Sequence, residues 1–133
     1  MRNQRSLQSR TRKKKEAGAN FLQTQMVMER NYLIEFCEKI SKPLDIPVIA
    51  GVFLLKSYKN ALFINKYVPG ANIPENILNR LKDSKDPLKE GIQIAAEQAK
   101  DYINIAEGIH IMAVKAEHLI PQIIEMADIN LEY

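Results

Sequence analysis

Cysteine is nearly absent from this sequence, with Cys37 the single one in 133 residues. An internal disulfide framework is thereby excluded, and a lone thiol suits a reducing compartment. Cys37 falls on an apolar helical stripe with Leu33, Phe36 and Ile40, where a small core residue is the better reading than a nucleophile. Long apolar runs are missing as well. The longest uncharged one, Ile46 to Leu55, falls far short of the roughly 20 residues that span a bilayer. The N-terminus is basic but lacks the apolar stretch of a secretory signal, so the expected location is cytoplasmic, with no membrane partner. There is no glycine-rich phosphate fingerprint, no serine or cysteine triad pattern and no third ligand at metal spacing around either histidine. His110, between Ile109 and Ile111, reads as a satisfied core group, and His118 as a surface or capping residue.

Acidic residues are missing from the N-terminal region. Residues Met1 to Lys15 hold seven Arg and Lys and no Asp or Glu, so a net charge of +3 leaves −4 on the remainder. The basic character therefore belongs to one segment and not to the domain. With one large apolar residue, Leu7, residues 1–12 favour disorder or a fraying helix, a basic tail ahead of a folded portion at 13–133. A nucleic-acid arm is the poorer reading, because no aromatics are interleaved for base stacking and the domain behind it is acidic.

What is present is a βα alternation. Hydrophobic residues make up 46% and charged residues 26%, ordinary for one folded domain. Gly18 is suited to ending a first helix in a left-handed conformation. A strand is predicted at about Asn20–Met28, then a helix at Tyr32–Ser41 ended by Pro43. The second strand, Ile46–Leu55, is continuously apolar, as expected where both faces are covered. Ser57 caps a helix carrying Leu62, Phe63 and Tyr67, and Pro69-Gly70 makes a turn. Pro74 starts a short helix with Ile77, Leu78 and Leu81. Asp86-Pro87 starts a longer one whose small face, Ile92, Ala95, Ala96, Ala99 and Ile103, can lie close against a sheet. A third strand follows at about Ile109–Val114, and a last helix from about Leu119 tolerates Pro121 in its first turn. Three parallel strands leave two open edges that neither proline nor charge protects.

In a parallel sheet the C-terminal ends of the strands carry function. This selects Gln25, the stretch Phe53–Lys56 and the stretch Val114–His118. Alternation puts Gln23 and Gln25 on one face of a strand expected to be buried, where amides need partners. They satisfy each other or neighbouring backbone, or Gln25 serves a ligand. Read this far, the residues specify part of an α/β barrel or open sheet.

The ordered runs A-G-A-N-F-L-Q-T-Q, I-P-V-I-A-G-V, V-P-G-A-N-I-P-E-N-I-L-N-R-L, E-G-I-Q-I-A-A-E and G-I-H-I-M-A-V add a resemblance. Together they resemble the C-terminal portion of methylenetetrahydrofolate reductases, from about Lys13 to the last helix. The fold implied is α/β, a partial (β/α)8 TIM-type barrel of about three parallel strands with flanking helices. A complete barrel needs about 250 residues. The function implied is part of a flavin-dependent reductase that turns 5,10-methylenetetrahydrofolate into 5-methyltetrahydrofolate, with FAD as cofactor and NAD(P)H or another donor as reductant. By position, Gln25 matches a folate-binding glutamine, Asn60 a substrate-side amide, Lys14 a flavin-contacting lysine and Val114 an apolar residue near the flavin. Ile64 stands where the family usually offers an aromatic ring, with Phe63 and Tyr67 nearby.

The stretch A-V-K-A-E-H lacks the asparagine-arginine pair of many members, and nothing corresponds to the family's catalytic glutamate. The chain alone is therefore expected to be inactive, completed by an upstream barrel half or by self-association. The alternative is a non-catalytic barrel piece acting as a binding or scaffold subunit.

Overall fold

The computed structural model describes residues 4–18 and 20–129. Its chain begins with helix α1 (Gln4–Glu16), which runs through residues where composition allowed disorder or a fraying helix. The helix ends where Gly18 adopts φ +103°, the left-handed conformation expected of it. Strand β1 (Leu22–Met26) follows, then α2 (Arg30–Phe36), a π-helical turn at Cys37–Ser41 and α3 (Lys42–Leu44). Pro43 does not break this helix as predicted. The Lys42 amide reaches back five residues to the Cys37 carbonyl, and the chain leaves the helix only at Asp45, with φ +51°. The wider π turn ahead of Pro43 relieves the clash that a proline ring makes with the preceding turn of a regular helix.

Strand β2 (Val48–Phe53) leads into α4 (Tyr58–Tyr67), which is capped by Ser57: its hydroxyl accepts from the Asn60 amide at 3.0 Å. Helix α5 is Glu75–Asp83. Helix α6 (Pro87–Tyr102) starts as predicted, with the Asp86 carboxylate accepting from the Lys89 amide and Pro87 in the first turn. Strand β3 (Gly108–Met112), a 3-10 turn (Glu117–Leu119) and α7 (Ile120–Ala127), with Pro121 in its first turn, complete the order.

The three strands form one parallel sheet in the order β1-β2-β3. Each strand sits beside its successor, which is the winding of a barrel rather than the reversal of a doubly wound sheet. It is an open α/β sheet and not a closed barrel: among the described residues β1 and β3 each pair on one side only.

Its two faces differ sharply. On one, Val48, Ala50 and Val52 of β2 are at most 1% exposed, packed with Leu22, Ile109 and Ile111 against Leu33, Ile92, Ala95, Ala96, Ala99, Tyr102 and Ile123 of the helices. On the other, Ile49 and Phe53 are half-buried, and the register sets Gln23 beside Ile49, His110 beside Gly51 and Met112 beside Phe53. The expectation that β2 is covered on both faces therefore fails. The helices of the main core pack on one side, and three strands do not curl far enough to close over the other.

A second apolar cluster, with Leu55, Ala61, Ile64, Ile77, Leu78, Leu81 and Ile94, joins α4, α5 and α6. Phe53 and Met26 lean on it. Cys37 is buried in the main core, and burial above all raises its thiol pKa over the ordinary 9.0. The core reading of this residue holds.

Candidate functional site at the C-terminal ends of the strands

The site begins with a local irregularity in β1. Gln23 pairs with Ile49, but Met26, three residues on, pairs with Gly51, only two residues on. The extra residue is a bulge, and Thr24 supplies the hydrogen bond that the ladder loses: its hydroxyl accepts from the Gly51 amide at 2.9 Å and donates to the Gln25 carbonyl at 2.7 Å. Gly51 is required for this approach, because a β-carbon there would stand 2.7 Å from the Gln25 carbonyl oxygen. Thr24 and Gly51 together thus set the backbone of Gln25.

Gln25 is exposed, and so is Gln23. Neither is the buried amide that alternation predicted, since β1 is an edge strand and its amide-bearing face is uncovered. Among the described residues the Gln25 side chain makes no hydrogen bond. Its Oε1 lies close to Gly70, 3.2 Å from where a β-carbon would be. Gly70 is held in place by Asn65, whose side-chain amide donates to the Ile73 carbonyl at 3.2 Å and accepts from the Ile73 amide at 2.8 Å. This clasp closes the α4–α5 loop, and the loop walls Gln25 on one side.

Helix α6 clamps the chain beyond Gln25. Tyr102 Oη donates to the Val27 carbonyl at 2.9 Å, the Gln98 amide reaches Met28 Sδ at 3.4 Å, and Arg30 pairs with Asp101 at 3.0 Å. Burial, with Asp101 and Glu29 adding to it, keeps the Tyr102 phenol neutral far into alkaline pH. Gln98 Oε1 is buried with no partner among the described residues. Helix α6 comes this close because Gly91 has no side chain, a β-carbon there falling 1.7 Å from the Leu55 carbonyl oxygen. An open cleft lined by Met28, Glu29, Arg30, Asn31, Pro74 and Asn76 runs alongside.

Three of the five residues singled out from sequence share this end of the sheet. Gln25 lies in β1 where it nears its C-terminus, Asn60 lies in the first turn of α4, and Val114 follows β3 and is 56% exposed. The Leu54 amide donates to the Met112 carbonyl at 2.9 Å, which ties the segment after β2 to the end of β3. Asn60 has structural work of its own, as Oδ1 accepts from the Lys56 amide at 3.2 Å. Ile64 is different. It is 4% exposed and sits in the second cluster, packed inward between the helices. The rings that α4 does present are Phe63 and Tyr67, each 59% exposed, with centroids 4.8 Å apart.

Lys14 stands apart. The neighbouring Lys15 donates to the Leu44 carbonyl on the segment leading into β2, which puts the last turn of α1 at the N-terminal end of the sheet. Lys14 and Val114 therefore lie at opposite ends of the sheet. His110 is exposed on the open face of β3 rather than buried, and His118 is exposed, as expected. Among the described residues no group of His, Cys, Asp or Glu could hold a metal, and no helix is long and apolar enough to cross a membrane.

Thr24, Gly51, Asn65, Tyr102 and Gly91 were not singled out by reading the sequence for chemistry. A glycine in the middle of an apolar strand was the one available signal, marking a close backbone approach at Gly51.

The family model for methylenetetrahydrofolate reductase matches residues 2–128. No curated relative matches the sequence.

Proposed function

Since this chain belongs to the methylenetetrahydrofolate reductase family, we propose that it forms the folate side of a flavin-dependent reductase that makes 5-methyltetrahydrofolate from 5,10-methylenetetrahydrofolate. The observation that carries this reading is Gln25, an exposed amide at the C-terminal end of a parallel strand, with its backbone set by Thr24 and Gly51 and its side chain uncommitted among the described residues. An amide both donates and accepts, so one residue can meet the mixed donor and acceptor edge of a pterin. Asn60 stands on the next element as a second, more constrained amide, and Val114 offers an apolar contact on the third.

The chemistry beyond substrate binding comes from polypeptide outside these three strands. A flavin held there would supply the hydride, with NAD(P)H or another donor as the source of electrons. An upstream barrel half, or a second copy of the chain, provides the acid and most flavin contacts and pairs with the free edges of β1 and β3. The role of this chain is to hold and orient the folate and to exclude water from one side of it. A cytoplasmic, soluble complex is the setting this implies.

The test mixes the chain with a polypeptide carrying the preceding strands of such a barrel, adds FAD, and desalts. Expected is a retained flavin spectrum that bleaches with NAD(P)H and recovers with methylenetetrahydrofolate. Recovery is lost in Gln25→Ala while the flavin stays bound. A mixture that retains flavin and turns over equally well with Gln25→Ala refutes the folate role. A mixture that never associates favours the scaffold reading instead.

A further inference from the structure

The basic segment ahead of β1 has no part in the folate-side reading. It is helix α1, and the helix is anchored: Thr11 is 4% exposed, the Lys15 ammonium donates to the Leu44 carbonyl, and the helix lies against the π turn. Arg10, Arg12, Lys13 and Lys14 are all exposed, and none of them belongs to an ion pair among the described residues. Helix chemistry does not account for the whole set. Cations in the last turn offset the negative end of the helix dipole, which covers Lys13 and Lys14 but not Arg10 and Arg12 before them. Arg10 and Lys14 also repel each other across one turn, at i and i+4. No Asp or Glu occurs from Met1 to Lys15 to relieve this. A rigidly held array of like charge suits a partner that brings the opposite charge.

The arrangement of the charges selects the partner. At about 100° per residue, the four cations spread over about 200° of the helix surface, centred opposite Thr11 and Lys15. A flat anionic surface meets less than half of a helix circumference, whereas a groove with phosphates along both walls reaches both flanks. Besides the cations, the described part of that face holds Ser9 and Glu16, with no apolar side chain to enter a lipid layer. The major groove of duplex DNA, about 12 Å wide, admits an α-helix, while that of duplex RNA is too narrow. Interleaved rings are needed to stack the bases of a single strand, but phosphate contacts to a duplex make no such demand.

We propose that α1 is a docking helix for duplex DNA, lying in the major groove with Arg12 on the phosphates of one wall and Arg10 and Lys14 on those of the other. The contacts are to phosphates, so base sequence does not matter. The last turn of α1 is at the N-terminal end of the sheet, so a duplex bound there leaves the Gln25 end open. The remainder of the chain, at −4, is repelled by the duplex and confines contact to the helix. None of this depends on the folate-side reading.

The test is fluorescence anisotropy of a labelled DNA duplex of arbitrary sequence, titrated with the full chain at several salt concentrations. Four phosphate contacts predict that affinity falls about 100-fold between about 50 and 200 mM salt. Arg10→Gln/Arg12→Gln is expected to reduce the slope of log affinity against log salt by about 2. Both side chains are exposed, so circular dichroism is expected to show unchanged folding. Lys59→Gln/Lys66→Gln removes the same charge from α4 and is expected to leave the slope as it was. An equal flattening by that control means diffuse attraction and overturns the docking helix. So does a wild-type slope in Arg10→Gln/Arg12→Gln, or no binding to the duplex at low salt. Equal or tighter binding of the single strand, or of an RNA duplex, refutes the groove fit. Preference for phosphatidylserine vesicles over the duplex replaces the proposal with a lipid surface.

Discussion

Replacing Gly91 by alanine tests the packing that builds the site. By helix propensity alone the change is favourable by about 1 kcal/mol, since Gly91 lies inside α6. The structure says the opposite. A β-carbon at this position would stand 1.7 Å from the Leu55 carbonyl oxygen and 2.9 Å from its carbon. Both obstacles are backbone, so no rotamer change clears them, and α6 must withdraw from the end of β2 by well over an ångström. Overpacking of a core costs about 1–3 kcal/mol even where side chains can adjust. Withdrawal also loosens Ile92, Ala95 and Ala96 from the sheet, and together these outweigh the propensity gain. The expected net loss is about 3 kcal/mol, a large share of a typical domain stability of about 5–15 kcal/mol. Urea unfolding followed by far-ultraviolet circular dichroism reads it as a lower midpoint at unchanged slope. Gly108→Ala is the internal control, because the nearest atom to a β-carbon there is Ile49 Cγ1 at 3.8 Å, an ordinary contact, and its effect stays within about 1 kcal/mol. A Gly91→Ala chain as stable as wild type, or more so, refutes the close approach of α6 to Leu55.

Thr24→Val keeps the shape of the bulge but leaves the Gly51 amide without its acceptor, so it costs about 1–3 kcal/mol and speeds hydrogen exchange at Gly51, while Thr24→Ser behaves as wild type. The Cys37 thiol is buried with its pKa raised, so Ellman's reagent is expected to label native protein slowly and denatured protein at once; fast stoichiometric labelling of the native chain contradicts the core placement. Tyr102 has a folded-state pKa raised above its ordinary 10.0, so its contribution to stability is intact below pH 10 and is lost as pH rises beyond it. Tyr102→Phe is therefore expected to cost about 1 kcal/mol at pH 7, where the Val27 carbonyl loses its donor, and to show a shallower stability loss than wild type above pH 10; equal alkaline losses in the two proteins contradict the assignment.

The element order, the parallel sheet and most helix boundaries were legible because they are local. Ser57, the Asp86-Pro87 pair, Gly18 and Pro121 all act within a turn of where they stand. What was not legible depends on contacts distant in sequence. Pro43 looked like a breaker because a one-residue rule cannot foresee a π turn ahead of it. Gln23 and Gln25 looked buried because β1 was taken to be covered, and coverage depends on elements that pack from elsewhere. Thr24 and Gly51 are 27 residues apart, and only the register of two strands reveals that one's hydroxyl replaces the other's ladder partner. Ile64 was placed at the site by position, whereas the packing of α4 against α5 and α6 turns it inward and leaves Phe63 and Tyr67 outside.

The contrast between the faces of the sheet ties these points together. The helix-covered face is made mainly of Val, Ala, Leu and Ile side chains packed against the helices. The other face carries Gln23, His110 and Met112 beside half-buried Ile49 and Phe53, a mixture too polar for a dry core and too apolar for an open surface. A regular strand would leave Gln25 in the sheet ladder, and the extra residue re-aims it toward the α4–α5 loop.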